Sequence, residues 1–318
     1  MRRFTIVALA VLSLAAGCSK NVTTGRYQYA ALSRDQEIRI GTEEQPKMVQ
    51  EYGGKLKNEQ INAYVTEIGA KLAANTEGDN PSLPWEFTVL DSEIINAFAL
   101  PGGKVFMSRG LSDMMTNEAQ LAGVLGHEVG HVTARHTSER FGQANVVSGV
   151  GTALGALLGE GAAAQAGAVA VQYGGQAILL KYSRGQEIEA DELGMRYMAK
   201  CGYDPRGQLQ VMEILDKASE GRESGLLESF FASHPDPKER ISIIEGKLKG
   251  EFANTQNNPQ YQLFADRYKQ RYLSLRKAEL EARPARTLAA VGAASWCTHC
   301  AMNEAQVEFV QAAALTMP

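Results

Sequence analysis

Two histidines and a glutamate stand within five consecutive residues, and all three residue types take part in metal-assisted chemistry. They are His127, Glu128 and His131, in the stretch LGHEVGHVTARH of residues 125–136. On an α-helix four residues advance the side chain by about 400°, so His127 and His131 share a face. Two imidazoles one turn apart can bind one ion, with Glu128 near enough to serve as a general base. The spacing predicts a catalytic zinc site.

A helix with two polar histidines on its surface is the alternative interpretation, because a five-residue pattern also arises by chance. Here the motif lies in an apolar stretch that carries glycine at positions 126 and 130. Unpaired histidine and glutamate side chains would be costly to bury in such a helix face. The surroundings therefore favour the metal site.

The motif helix does not supply the third protein ligand that a catalytic zinc site needs. A histidine six residues after His131 is absent, because position 137 is threonine. His136 lies nine residues after His127, about 180° around a continuous helix. We therefore expect His136 to be structural or exposed.

Carboxylates further along the chain can supply the missing ligand. The segment SRGQEIEAD of residues 183–191 contains Glu187, Glu189 and Asp191. Glu187 and Asp191 are four residues apart and share a helix face, whereas Glu189 points away from that face. The residues alone leave the choice between these carboxylates open.

Apolar periodicity and turn signals predict the elements that position these groups. A capping box at Ser33 and Gln36 begins the first helix. Further helices are expected over 58–76, 116–137, 183–205 and in the segments after residue 205, with strands over 85–92 and, around a Pro-Gly-Gly turn, over 95–110.

Residues 141–180 form an unusual segment, in which only Glu160 carries charge and glycine and alanine dominate. One interpretation is contact with a membrane or a substrate. The favoured interpretation is a pair of close-packed helices beside the active site, because glycine, serine and glutamine dilute the apolar character.

The N-terminus is typical of an export signal, with two arginines, a short apolar core and the small residues LAAG before Cys18. It is too short for a typical transmembrane helix. The pattern resembles a bacterial lipobox, which implies cleavage before Cys18 and a lipid on its thiol. Ser19, rather than aspartate, follows the cysteine and predicts an outer-membrane anchor.

The chain has no disulfide framework, because only three further cysteines follow Cys18. Cys201 stands alone, and Cys297 and Cys300 lie in SWCTHC, which resembles the Trp-Cys-x-x-Cys of thioredoxin-like proteins. Only eighteen residues follow Cys300, too few for the rest of such a domain. We expect a local Cys297–Cys300 disulfide rather than a working redox domain.

Taken together, HEVGH at 127–131 and EIEAD at 187–191 resemble the prenyl-protease/HtpX/Oma-type gluzincin peptidases, a family of zinc metallopeptidases. NAFALPGG at 96–103 and HPDPKER at 234–240 extend the resemblance, which covers roughly residues 30–250. The most similar form is the soluble periplasmic branch that includes LoiP and BepA.

The resemblance implies roles for three further residues. Glu187 would be the third zinc ligand, and Asp191 would orient a ligand histidine. Arg240 is a candidate donor to the oxyanion that forms during hydrolysis, with a charge on a helix surface as the alternative.

His234 has three alternative roles. In the relatives this histidine can approach the open zinc position, which implies a latch that holds the enzyme inactive. The alternatives are stabilisation of the transition state and simple capping of the loop. The strand around Ala97, Phe98 and Ala99 can offer its backbone to an extended peptide substrate, or it can be an ordinary core strand.

These observations predict an α+β fold, a mainly helical zincin-type metallopeptidase domain with a small β-sheet next to the motif helix. The expected function is a zinc-dependent endopeptidase, with one Zn²⁺ per chain, that acts on unfolded or misassembled proteins of the bacterial cell envelope. The alternative is a periplasmic chaperone or binding module for outer-membrane protein assembly, with a latent metal site. The net charge of −4 gives no indication of a nucleic-acid partner.

The predicted organisation has five parts. They are a signal peptide (1–17), a lipid-anchored linker (18–32), the peptidase domain (33–250), a linker with a charged helix (251–285) and a tail with the partial thioredoxin-like segment (286–318). The expected location is the periplasm, with the lipid in the outer membrane and with access to its protein-assembly machinery.

Overall fold

A computed structural model describes residues 18–143, 181–220, 224–234 and 237–282 of the chain. The helices and strands are β1 (Cys18–Lys20), β2 (Tyr27–Tyr29), α1 (Arg34–Glu51), α2 (Glu59–Ala73), β3 (Glu86–Leu90), β4 (Ala97–Leu100), β5 (Lys104–Ser108), α3 (Arg109–Ser112), α4 (Glu118–Thr133), α5 (Arg184–Lys200), α6 (Arg206–Glu220), α7 (Glu228–Ser233), α8 (Pro237–Lys249), α9 (Ala265–Tyr268) and α10 (Ser274–Ala282). The chain divides into two compact units at Arg276, and the sheets, the motif helix and the potential metal ligands all belong to the first unit.

A three-stranded mixed sheet has the strand order β3-β5-β4. β5 is entirely buried in the middle, parallel to β3 and antiparallel to β4. The predicted Pro-Gly-Gly turn joins β4 to β5, and its Gly102 and Gly103 have φ of 78° and 94°, which glycine adopts without strain. The predicted strands are therefore confirmed.

The motif helix α4 is buried along its whole length. Asn117 precedes it in extended backbone and accepts a hydrogen bond from the Gln120 N–H, as expected of a helix cap. The helix ends at Thr133, because Arg135 adopts the left-handed conformation with φ of 58°. His136 therefore does not continue the motif helix, contrary to the assumption of a continuous helix.

Small residues bring α4 and α5 into close contact. A Cβ atom at Gly194 would lie 2.9 Å from the backbone nitrogen of His127. A Cβ at Gly130 would lie 2.9 Å from the carbonyl oxygen of Ala190. Both distances are too short for any larger residue, so these glycines let the helix that carries the histidines approach the helix that carries Glu187.

The expected linker over residues 18–32 instead forms part of the packed domain. β1 and β2 make an antiparallel hairpin. The buried Asn21 and Gln28 donate hydrogen bonds from their side-chain amides to the carbonyl oxygens of Thr133 and Ala134, at 3.1 and 3.0 Å. These two amides satisfy carbonyls at the C-terminal end of α4 that lack helical partners.

The expected linker and charged helix after residue 250 also pack on the domain. Tyr268 and Tyr272 are fully buried, one helical turn apart. Arg267 donates to the buried carboxylate of Glu118, and the Arg276 Nε donates to Asp113 at 2.9 Å. The many charged residues of this segment obscure its apolar stripe in the sequence. The packed domain therefore continues beyond residue 250 to Arg276.

The predicted α+β architecture, mainly helical with a small sheet next to the motif helix, is confirmed. Within the described part of the chain, the helices are all too short or too polar to span a membrane. The predicted signal peptide, almost all of the Gly/Ala-rich segment and the tail with Cys297 and Cys300 lie outside the described residues.

Candidate metal centre

Four potential metal ligands converge where α4 meets α5. His127 and His131 come from α4, Glu187 from the first turn of α5, and His234 from the residue after α7. One donor atom from each lies within 4.8 Å of the others, and all four side chains are buried. The structure thus brings together residues that are more than a hundred positions apart in the chain.

The distances between the donor atoms fit a zinc ion. The Nε2 atoms of His127 and His131 are 3.0 Å apart. The Glu187 carboxylate oxygens lie 3.6 Å from the first of these atoms and 3.3 Å from the second. Two ligand atoms on a tetrahedral zinc are separated by about 3.3 Å, because Zn–N bonds are about 2.0–2.1 Å long.

Two buried polar atoms at this position support the same fit. The Nε2 of His234 and one carboxylate oxygen of Glu128 have no hydrogen-bond partner among the described residues. Leaving such atoms unpaired in a buried site costs free energy. Imidazole and carboxylate donors of this kind suit zinc, so the residues present fit the metal.

Asp191 contacts the His127 ring. The Asp191 Oδ1 lies 2.9 Å from the His127 Nδ1, on the side of the ring away from the donor cluster. A carboxylate only accepts hydrogen bonds, so the ring proton lies on Nδ1 and Nε2 keeps its lone pair for a metal. Asp191 itself accepts from the Gln208 amide at 2.7 Å.

Arg240 is buried between two carboxylates, so the alternative of a surface charge is wrong. Its Nη1 donates to Glu187 at 2.6 Å, while its Nε and Nη2 donate to Asp191 at 2.7 and 2.6 Å. Burial opposes charge on Glu187, but His234 and Arg240 outweigh that effect and hold the pKa of Glu187 well below its usual range. Arg240 therefore keeps both carboxylates ionised and in place.

Glu128 lies beside the donor cluster without joining it. It is buried, and its Oε1 is 3.7 Å from the Nε2 of His234. Burial raises the pKa of the Glu128 carboxyl, although the neighbouring His234 and His127 oppose the rise. A carboxylate with a raised pKa is a better proton acceptor than one at its ordinary value.

His234 reaches the cluster from outside both metal-site helices. It follows α7, and its Nδ1 lies 2.9 Å from the Glu187 Oε1. Its ring stacks on Phe230, with the ring centroids 4.8 Å apart. His234 thus belongs to the same group of potential ligands as the two motif histidines, and its Nε2 has no hydrogen-bond partner among the described residues.

Residues 59–248 match the sequence profile of peptidase family M48, which is more than half of the chain. The chain belongs to this family. The chain is 32% identical to the mitochondrial metalloendopeptidase OMA1 of Schizosaccharomyces pombe, over 70% of this chain and 64% of that protein. It is 29% identical to the beta-barrel assembly-enhancing protease of Yersinia pestis, over 67% of this chain and 44% of that protein.

A shorter relative aligns over nearly its whole length. The metalloprotease LoiP of Escherichia coli is 27% identical, over 78% of this chain and 98% of that protein. By contrast, the chain spans less than two thirds of the length of OMA1 and of the assembly-enhancing protease. Family membership confirms the resemblance seen in the motifs and assigns the chain to the metallopeptidases.

His136 and Glu189 lie next to the metal centre, although no sequence pattern indicated that either residue supports the site. His136 is fully buried, so of its two expected alternatives the exposed one is wrong and the structural one is supported, and its Nδ1 lies 2.8 Å from the Nδ1 of His131. Its Nε2 lies 2.9 Å from the Glu189 carboxylate. Burial acts to raise the pKa of Glu189, but hydrogen bonds from His136 and Arg26 lower it to about 2.

Tyr182 is a further neighbour that no sequence signal indicated. Its ring stacks on the His131 ring, with the centroids 3.7 Å apart, and the Arg140 guanidinium lies 3.8 Å from the Tyr182 centroid. Tyr182 also lines a cavity of about 470 Å³ together with Glu187 and Arg240. This cavity is a candidate route by which a substrate reaches the metal centre.

Strand β4 lies at the edge of the sheet, close to the motif helix. The side chains of Ala97, Phe98 and Ala99 are buried, as in a core strand. Ala99 nevertheless lines a small pocket together with His131 and Tyr182. The expected pairing of this strand with a peptide stays a prediction.

Proposed function

We propose that the protein is a zinc-dependent endopeptidase of the bacterial cell envelope that hydrolyses peptide bonds in unfolded or misassembled proteins. The observation that carries the proposal is the convergence of His127, His131 and Glu187, beside a Glu128 carboxylate oxygen that has no hydrogen-bond partner among the described residues. Two imidazoles and a carboxylate leave a coordination position open, which is typical of catalytic rather than structural zinc sites.

Each residue of the site has a distinct task in this proposal. His127, His131 and Glu187 hold one zinc per chain, which when bound supplies a Lewis acid that polarises the scissile carbonyl and lowers the pKa of water. Glu128 accepts a proton from the attacking water and passes it to the leaving amine. Asp191 keeps the Nε2 of His127 free of a proton.

Arg240 acts first as a positioning residue, because three of its nitrogens already donate to Glu187 and Asp191. Its role as a donor to the oxyanion stays a prediction. The backbone of Ala97, Phe98 and Ala99 is proposed to bind the substrate in extended form, which would accept many sequences because only main-chain groups are read.

The envelope location rests on the N-terminal pattern before Cys18 and on the bacterial relatives. The beta-barrel assembly-enhancing proteases, by their name, act in the assembly of β-barrel proteins. We infer that this protein is anchored by a lipid to the outer membrane and meets unfolded or misassembled envelope proteins there, near the assembly machinery.

Digestion of casein by the purified protein tests the proposed activity. Casein is a loosely structured substrate, so its cleavage requires no specific partner. We expect fragments to appear, to stop appearing when a chelator is added, and to return when zinc is restored. Cleavage that is indifferent to the chelator would exclude the metal mechanism, and absence of any cleavage would favour the chaperone alternative.

His234→Ala tests whether His234 is a latch. If His234 holds the site closed, its removal should raise basal casein cleavage by about fivefold or more, equivalent to about 1 kcal/mol of latch stabilisation. Ser233→Ala is a matched control, because among the described residues the Ser233 hydroxyl donates only to backbone carbonyls of α7. A large loss of activity with zinc still bound would instead show a catalytic role, and no change would show a structural one.

Cys18→Ser tests the lipid anchor. We expect the variant to lose lipid attachment and to move from the membrane fraction to the soluble fraction, because one cysteine provides the only predicted attachment point. The measurement is mass spectrometry of the N-terminal peptide together with detergent-free fractionation. Persistent membrane association without the lipid would point to residues 141–180 as a membrane element.

A further inference from the structure

A chain of hydrogen bonds leads from His131 to the N-terminal hairpin. The Nδ1 of His131, opposite the nitrogen that faces the donor cluster, lies 2.8 Å from the Nδ1 of His136. The Nε2 of His136 lies 2.9 Å from the Glu189 carboxylate. Arg26, in the loop of the hairpin, donates to both oxygens of Glu189 at 3.2 and 3.0 Å.

Chemistry fixes the direction of each hydrogen bond in this chain. Glu189, paired with Arg26, is a carboxylate and can only accept, so His136 donates from Nε2. A neutral imidazole carries one N–H, and the Nδ1 of His136 is therefore an acceptor. The Nδ1 of His131 must then donate to it.

The direction of these bonds determines which nitrogen of His131 can bind a metal. With its proton on Nδ1, the His131 ring presents a lone pair on Nε2, 3.3 Å from Glu187. His127 reaches the same tautomer through a direct contact with Asp191. His131 instead has a histidine between itself and the carboxylate.

We propose that His136 and Glu189 are positioning residues that hold His131 in the tautomer whose Nε2 binds the metal, with Arg26 holding the carboxylate in turn. This inference rests on the proposed metal site. It also gives a function to the N-terminal hairpin, because Arg26 extends the support of a ligand histidine to a segment about a hundred residues earlier in the chain.

Zinc affinity of the apo-protein, measured by competition with a chelator, tests the relay. In His136→Gln, the amide can accept from His131 with its oxygen and donate to Glu189 with its NH₂ group, so the polarity of the chain is preserved. His136→Leu removes both functions. We expect affinity about 10- to 100-fold weaker for His136→Leu, the usual effect of losing such a partner, and little change for His136→Gln.

The Glu189 variants test whether both residues act through one chain. Glu189→Leu should weaken zinc binding in the same range as His136→Leu, and the double variant should be no weaker than His136→Leu alone. Glu139→Gln is the matched control, because Glu139 accepts from the same Arg26 at 2.7 Å but makes no hydrogen bond to His136. Its affinity should remain at the wild-type value.

Nitrogen-15 NMR of the wild-type imidazoles reads the tautomers directly and needs no variant. We expect the proton on Nδ1 of His131 and on Nε2 of His136. The opposite assignment, wild-type affinity in His136→Leu, or equal losses in the leucine and glutamine variants with intact apo-protein melting, would overturn the relay. A wild-type protein that binds no zinc would instead overturn the proposed function, and the NMR assignment would still test the relay.

Discussion

Glu128→Gln should lower casein cleavage by about 10²- to 10⁴-fold, the range that general acid–base catalysis contributes, while the zinc content stays at one per chain. Glutamine fills the same buried space, so the packing around α4 is retained. It cannot accept the proton of the attacking water. The loss should therefore appear in kcat, with little change in KM, because Glu128 is not assigned a contact with the bound peptide.

Glu192→Gln provides the comparison for this experiment. Glu192 lies on α5, near the site in the chain, but it pairs with Lys247 at the surface and has no assigned role. Its cleavage rate should match the wild type. If Glu128→Gln retained activity within tenfold of the wild type, Glu128 would not be the general base.

The His127→Ala, His131→Ala double variant should lose both the metal and all chelator-sensitive cleavage. Two of the three proposed protein ligands are removed, and the third, Glu187, already accepts a hydrogen bond from Arg240 at 2.6 Å. Metal analysis after dialysis should show no stoichiometric zinc. Glu128→Gln serves as the control, because it should be equally inactive but fully loaded.

Thermal melting of the double variant in the apo form separates loss of ligands from loss of fold. Both histidines are buried, and their truncation also leaves cavities in the core. We expect a lowered but cooperative transition. Full zinc occupancy in a folded double variant would place the metal elsewhere in the chain.

The sequence predicted the centre of the site because its geometry is local. His127 and His131 share a helix face whatever the rest of the fold does. The placement of Glu187 needed the family resemblance, because the residues alone left three carboxylates as candidates. The structure brings Glu187 to the histidines through the glycine contacts between α4 and α5, which no helix periodicity reveals.

The roles of His136 and Glu189 were missed because the end of α4 has no local signal. Arg135 takes a left-handed conformation that is uncommon for residues with side chains. Its guanidinium donates to Glu37, at 3.1 Å, and to the carbonyl of Leu32. These contacts are tertiary and have no local sequence signal. The predicted helix was therefore too long, which placed His136 on the opposite face from the motif.

The packing of the two segments predicted as linkers could not be predicted from the sequence, for a related reason. Polar residues such as Asn21, Gln28 and Arg26 indicate exposed loops in a sequence, but here they form hydrogen bonds or ion pairs with the domain. No sequence pattern indicated that Tyr182 belongs to the site. Its position against His131 depends on tertiary packing alone.

X-ray absorption at the zinc edge of the wild-type protein is the most direct measurement of the central claim. The chain contains four cysteines, so sulfur and imidazole ligation are both chemically available. We expect only nitrogen and oxygen ligands at about 2.0–2.2 Å, with the scattering pattern of at least two imidazoles. Sulfur ligands at about 2.3 Å, or no bound zinc in the folded protein, would contradict the assignment of His127, His131 and Glu187 as the metal centre.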